Sequence, residues 1–312
     1  MEQSSQLESF GRTLVELGRE REDIVVLDPD VASSTKTTYF AETFPSRFIR
    51  VGISEQDMLG IAAGLAASGK TPVAVGFAMF IIGRGFEQIA NSIARQGLNA
   101  KIVGTHAGLS PHADGESHQM YGDVALMRTI PNIRVVVPGD APSAVEALKD
   151  AIDYRGQVYL RLMRGLTPTV YGEDIDFEMG RANVLRDGSD ATIVANGIML
   201  SLALTAAERL IGEEIDVRVI DMHTVKPLDA GAIERAARET GAIVTAEEHS
   251  IIGGLGSAVA EILVETIPTP MERIGIKDHF GESSRSYPEL LSHVGLTSDT
   301  IAEAVRRIIE RK

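Results

Sequence analysis

The stretch ISEQDMLGIAAGLAASGKTPVAVGF, residues 53–77, runs an apolar helical segment straight into a short strand-like run, and that order decides the fold. Residues 53–68 space their apolar side chains as a helix does, whereas TPVAVGF (71–77) has the length and content of a strand buried on both faces. The same alternation spreads outward in both directions. DIVVLD (23–28), AKIVGTH (100–106), IRVVVPG (133–139) and VYLRLM (158–163) read as further buried strands, with helices between them. Buried strands alternating with helices predict α/β architecture: a doubly wound, mostly parallel sheet covered on both faces.

The pattern loosens at Gly165-Leu166-Thr167-Pro168 and through YGEDIDFEMG (171–180), so a linker is expected over 171–188. A second α/β series follows: DATIVANG (190–197), a helix from about Met199 to Ile211, DVRVIDM (216–222), a helix after Pro227, AIVTAEE (242–248), and a helix opening at Gly254-Leu255-Gly256-Ser257. The chain therefore reads as two doubly wound domains, 1–170 and 189–312. At roughly 150 residues per domain, 312 residues suit two. The run GGLG lies late in its domain and lacks the full glycine fingerprint with its following acid, so helix-start packing is favoured there over dinucleotide binding.

Composition excludes several classes. There is no cysteine, hence no disulfide and no thiolate chemistry, and any metal must use oxygen or imidazole ligands. The net charge of −14 argues against a protein that coats nucleic acid, which needs a concentrated basic face. A small anionic substrate is still compatible, because a few cations focused in a cleft outweigh a distant negative surface. No stretch of eighteen apolar residues is free of charge, so no membrane span is expected. The start MEQSSQLESFGRTL has no basic segment followed by an apolar one, so a cytoplasmic location is expected.

Three places carry candidate chemistry. Glu55, in Arg50-Val51-Gly52-Ile53-Ser54-Glu55-Gln56, sits where a strand turns into an apolar helix, facing a crevice. A carboxyl there could exchange a proton with a heterocycle, although on the local sequence alone the helix dipole, which favours a Glu in the first turn, is the stronger account. Phe77 and Phe80, three apart at the end of an apolar strand, offer a surface for a flat ring, or simply core packing. The loop THAGLSPHADGESHQ (105–119) places three of the seven histidines after a buried strand, where parallel sheets bind ligands. Its His and Asp side chains suit hydroxyls, oxyanions and proton relay; a polar surface loop and a His/Asp metal site are the alternatives.

Taken together, GISEQDMLGIAAGLA, GFAMFIIGRGFEQIANSIA, THAGLSPHADGESHQ and IPNIRVVVPGDA resemble the second half of transketolase, most of all the split transketolases whose halves are separate chains. DMHTVKPLD and AEEHSIIGGLGSAVAE resemble that family's C-terminal domain, so the likeness covers nearly the whole chain. It implies a pyrimidine-binding domain and a transketolase C-terminal domain serving thiamine diphosphate. Glu55 matches the Glu that contacts N1′ of the cofactor's aminopyrimidine and promotes its activation. Phe77 and Phe80 match the aromatic wall around that ring, whose third aromatic is Gly83 here; Asp30 and Ile53 match further positions near the cofactor. His106, Asp114 and His118 match sugar-binding positions, with the two histidines as catalytic candidates. Ser34 and Arg164 match contacts to a substrate phosphate, with Arg161 a neighbouring candidate. One departure stands out: Leu7 occupies the position of a phosphate-binding Arg, which puts the recognition of phosphorylated sugars in question.

The family's Mg²⁺ ligands, a Gly-Asp-Gly motif and an Asn some thirty residues later, are not found: the Asp-Gly pairs at 114–115 and 187–188 lack the preceding glycine. The resemblance thus implies thiamine diphosphate and Mg²⁺ with no metal ligand on this chain. It also implies a partner N-terminal subunit that carries the diphosphate-binding domain, an α2β2 heterotetramer, and sugar or sugar-phosphate substrates. Two related enzymes are rivals. The β subunit of a 2-oxoacid dehydrogenase decarboxylase shares the layout but lacks the histidine loop, and deoxyxylulose-phosphate synthase is similar around VKPLD but carries its diphosphate domain in one chain.

Overall fold

The computed structural model describes residues 2–172 and 175–312. In chain order the strands are β1 (Gln3–Ser5), β2 (Ile24–Asp28), β3 (Phe48–Arg50), β4 (Thr71–Phe77), β5 (Lys101–Thr105), β6 (Arg134–Val136), β7 (Val158–Arg161), β8 (Leu166–Pro168), β9 (Asn183–Arg186), β10 (Ala191–Ala195), β11 (Val217–Asp221), β12 (Thr224–Lys226), β13 (Ile243–Ser250) and β14 (Met271–Ile276). They form one sheet in the order β12-β6-β7-β5-β4-β2-β3, a second in the order β14-β13-β10-β11-β9, and a short β1-β8 ribbon. Within each large sheet the strands run parallel except one edge strand, β12 against β6 and β9 against β11. The two-domain, mostly parallel α/β expectation is what is found.

Strand alternation explains the layering. On one face of the first sheet, Val26, Val73 and Val103 pack with Phe10 and Leu14 of helix Gln6–Glu20 and Leu148 of helix Ala141–Asp153. Their neighbours Leu27, Ala74 and Ile102 point the other way, onto Met58 and Leu59 of helix Glu55–Ala67 and Ile81 and Ile82 of helix Ala78–Glu87. The second sheet repeats the scheme, with Ile193, Val219 and Val244 facing one core and Val194, Ile220 and Ile243 the other.

Two edge features were not legible from periodicity. Asn183–Arg186, inside the segment read as a linker, forms edge strand β9. Thr224–Lys226, from the second half of the sequence, joins the first sheet through β6. Both are short and lie at sheet edges, where one open side breaks the apolar run that marks a buried strand. The crossover from the first sheet is pinned by Asp140: it caps helix Ala141–Asp153 with Ser143, and its other oxygen accepts hydrogen bonds from the Val170 and Tyr171 amides, each at 2.8 Å. Among the described residues no helix is long and apolar enough to cross a membrane.

Candidate active site

The loops leaving the carboxyl ends of β2, β4, β5 and β7 converge, as such loops do in open α/β sheets. A cavity of about 630 Å³ lies among them, bordered by Ser34, Phe77, His106, Asp114, His118 and Arg164 and by Leu7, Glu8 and Lys36 from the start of the chain and the loop after β2. Seven residues singled out from the sequence, Leu7 among them, therefore share one space.

Each is held by a specific local device. Ser34 lies in the short helix Ala32–Thr35, which is anchored by a fully buried carboxylate at the end of β2, that of Asp28. It accepts from the Val31 amide (2.7 Å) and from the hydroxyls of Thr35 (3.0 Å) and Thr37 (2.9 Å). Burial raises the Asp28 pKa while these donors pull it down. His106 follows β5 in the left-handed region at φ 53°, which turns its ring back over the sheet end and against Phe77, at a centroid distance of 4.1 Å. Its pKa falls to about 4, first because burial disfavours the imidazolium and then because Arg164 is close, so the ring is neutral at pH 7. His118 meets the Phe80 ring edge-on at 5.2 Å, and Asp114 receives Arg164 Nη1 at 2.5 Å.

The second half of the site lies beside this cavity. Helix Ala78–Glu87 begins as β4 ends, so Phe77, Phe80 and Arg84 follow one another along the same side. The Phe77 and Phe80 centroids are 6.3 Å apart, and the Arg84 guanidinium lies 4.4 Å over the Phe80 ring. Arg84 Nη1 also donates to Glu55 Oε2 at 2.8 Å. Glu55 is 4% exposed, at the first residue of its helix, so contacts run unbroken from His106 through Phe77, Phe80 and Arg84 to a buried carboxylate. Two aromatic rings thus lead through Arg84 to a buried carboxylate, groups whose chemistry suits a flat heterocycle with a ring nitrogen.

Not every sequence candidate joins in. Ile53 is 77% exposed and Asp30 stands on the surface at φ 70°; neither borders the cavity. Arg161 does not border the cavity either. It points beneath the loop and away from the cavity, buried, with Nε on Asp123 Oδ2 at 2.8 Å and Nη2 on the main-chain oxygens of Glu248 (3.0 Å) and Met120 (3.2 Å). Strand alternation is the cause: successive residues of β7 face opposite sides, and the side that Arg161 takes is the domain interface. His112, the third loop histidine, faces the C-terminal domain and bonds Ser284 O at 3.0 Å.

Sequence reasoning missed Arg84, Asp28 and the pair Glu8–Lys36, whose ions are 2.8 Å apart in the cavity wall. The i, i+4 spacing of Phe80 and Arg84 was an available signal; the Glu8–Lys36 meeting depends on tertiary folding and had none. Leu7 does border the cavity, beside Glu8.

Both domains match known families. Residues 4–169 match the family description "Transketolase, pyrimidine binding domain" and residues 180–301 match "Transketolase, C-terminal domain". The chain is 42% identical to a 6-deoxy-6-sulfo-D-fructose transketolase subunit from Clostridium sp., covering 96% of this chain and 92% of that one. It is 40% identical to an apulose-4-phosphate transketolase subunit from Phocaeicola vulgatus, covering 97% of both. A solved structure titled "Split gene transketolase, inactive beta4 tetramer" superposes with a TM-score of 0.90 at 49% identity over 98% of each chain. The chain therefore belongs to the transketolase family, of which it carries the pyrimidine-binding and C-terminal domains.

Proposed function

We propose that this chain is the C-terminal subunit of a split, thiamine-diphosphate-dependent transketolase, transferring a two-carbon ketol unit from a ketose or ketose-phosphate donor to an aldose acceptor. One observation carries the reading: the buried carboxylate of Glu55 is connected through Arg84, Phe80 and Phe77 to a cavity in which His106, His118, Asp114, Arg164 and Ser34 meet. The relatives named as transketolase subunits support it. A partner N-terminal subunit with a Gly-Asp-Gly…Asn diphosphate-binding domain would supply the Mg²⁺ ligands, in an α2β2 assembly in the cytoplasm.

When bound, thiamine diphosphate supplies the carbon nucleophile and the electron sink for cleaving and forming the carbon–carbon bond. This chain's residues do the rest. Glu55 holds and returns a proton at the pyrimidine ring nitrogen, while Phe77 and Phe80 pack against the ring and keep water from it. His106, neutral, spends its N–H on Thr105 Oγ1, which itself donates to Gly76 O, and so leaves Nε2 to accept from a sugar hydroxyl without adding charge. His118 is placed to exchange a proton with a sugar hydroxyl. Asp114 accepts from a hydroxyl and orients Arg164, which with Ser34 binds a terminal anionic group.

Calorimetry with thiamine diphosphate and Mg²⁺ tests the assembly. The expected result is tight binding with the partner subunit present and weak or no binding by this chain alone. Tight, Mg²⁺-dependent binding to the isolated chain would contradict the split arrangement.

A further inference from the structure

The loop from His106 to Met120 carries three of the proposed substrate contacts, yet its base is held by the other domain. Gly108 and Met120 pair across the loop's neck with hydrogen bonds of 2.8 and 3.0 Å, closing it as an isolated antiparallel bridge. Beneath this neck lies Glu248 of β13, 3% exposed, whose Oε1 accepts from the Leu109 amide at 2.7 Å. Beside Glu248, Arg161 donates to Met120 O at 3.2 Å and to the main-chain oxygen of Glu248 at 3.0 Å, with Nη1 3.9 Å from the Glu248 carboxylate. The fit is close: Gly108 has φ +63°, and a Cβ there would come within 2.3 Å of the Glu248 carboxyl carbon. Farther out, Gln119 donates to Glu282 O (2.7 Å) and the Ser284 amide to His112 O (3.0 Å). The C-terminal domain thus grips the loop at its neck and along its outer edge.

We propose that Glu248 is a positioning residue for substrate binding: its carboxylate fixes the Gly108–Leu109 turn from across the domain interface and thereby aims His106, Asp114 and His118 into the cavity. The inference rests on the sugar-binding reading of that loop. It gives the C-terminal domain, which contributes none of the residues named as site contacts, a defined part in substrate affinity. A carboxylate accepting a main-chain amide in a dry interface has no water to replace it, so its loss frees the turn.

The test uses the full chain reconstituted with its partner subunit, in wild-type, Glu248→Ala, Glu248→Gln and Gly108→Ala forms. Glu248→Ala should raise the acceptor KM ~10- to 100-fold, the scale of one hydrogen bond to a charged group. The dissociation constant for thiamine diphosphate should stay within about threefold, a split that general destabilisation would not produce. Glu248→Gln keeps an oxygen acceptor and should recover most of the loss. Gly108→Ala, pushing from the loop side, should reproduce the KM defect, and it decides the matter if Glu248→Ala does not fold. Hydrogen exchange should quicken at residues 107–119 in the defective variants and stay unchanged along helix Glu55–Ala67. An unchanged KM in Gly108→Ala or Glu248→Ala, or cofactor affinity falling in parallel with KM, overturns the proposal. His118→Ala separates the two levels: if it too leaves KM unchanged, the sugar-loop reading falls, whereas a His118→Ala defect beside a silent Glu248→Ala removes the positioning role alone.

Discussion

Glu55 and Arg84 form an ion pair of 2.8 Å whose two ends live in different surroundings: the carboxylate side chain is 5% exposed, the guanidinium side chain 48%. Such a pair is asymmetric under mutation. Removing Arg84 strands a buried charge, whereas neutralising Glu55 only releases an arginine that water already reaches. With the exposed partner discounted for screening, Arg84→Ala should cost the free chain about 1–2 kcal/mol and Glu55→Gln under about 1. Urea unfolding of both variants checks this, and equal costs would show that the pair is merely a surface contact.

Arg161 and Arg164, three residues apart, should separate cleanly. Arg161→Ala leaves the Asp123 carboxylate buried without its arginine, held only by the Tyr159 hydroxyl, and should destabilise the fold by about 3–5 kcal/mol. Arg164→Ala breaks an exposed pair with Asp114, costing under about 1 kcal/mol, yet should raise the KM for a phosphorylated acceptor. Denaturation midpoints beside steady-state kinetics distinguish them; the reverse pattern would return Arg161 to the substrate.

His106 should remain neutral through the physiological range. Its folded pKa of about 4 lies below the ordinary 6.5, so between these values the unfolded chain binds more protons than the folded one. Stability from this group therefore rises with pH from about 4 to 6.5 and is flat above that. In NMR of the free chain the His106 ring should not titrate between pH 5.5 and 8, and His106→Asn, tolerant of positive φ, should remove its part of the acid slope. Titration near pH 6.5 would show the ring to be open to water.

Leu7 borders the cavity beside Glu8, and Glu8 is already committed to Lys36 and to the Tyr39 hydroxyl at 2.6 Å. The cavity thus has fewer free cationic contacts for a phosphate than a site with Arg at position 7. Wild type should discriminate weakly between ribose 5-phosphate and glycolaldehyde, and Leu7→Arg should shift kcat/KM toward the phosphate by about ten- to a hundredfold. A strong wild-type preference for the phosphate, unchanged by Leu7→Arg, would remove the specialised-substrate reading.

The buried strands were legible because both faces are covered, leaving unbroken runs such as Val73-Ala74-Val75. β9 and β12 were not, since edge strands carry no such run. At the site, the strand ends pointed to Phe77 and to the loop that begins at His106, whereas Arg164 came from the family resemblance. Arg161 could not be told from Arg164, because which face of β7 meets the other domain is a property of packing. Glu248 lay within a strand whose run, AIVTAEE, reads as core, and its contact to Leu109 spans 139 positions of sequence.

The central claim is that this chain supplies the pyrimidine end of a thiamine-diphosphate site through Glu55. The most direct measurement is ketol transfer by the enzyme reconstituted with its partner subunit, comparing wild type with Glu55→Gln at saturating cofactor. Loss of proton exchange at the ring nitrogen predicts turnover lower by at least ~10²-fold with the fold intact. Turnover within about threefold of wild type would contradict the account.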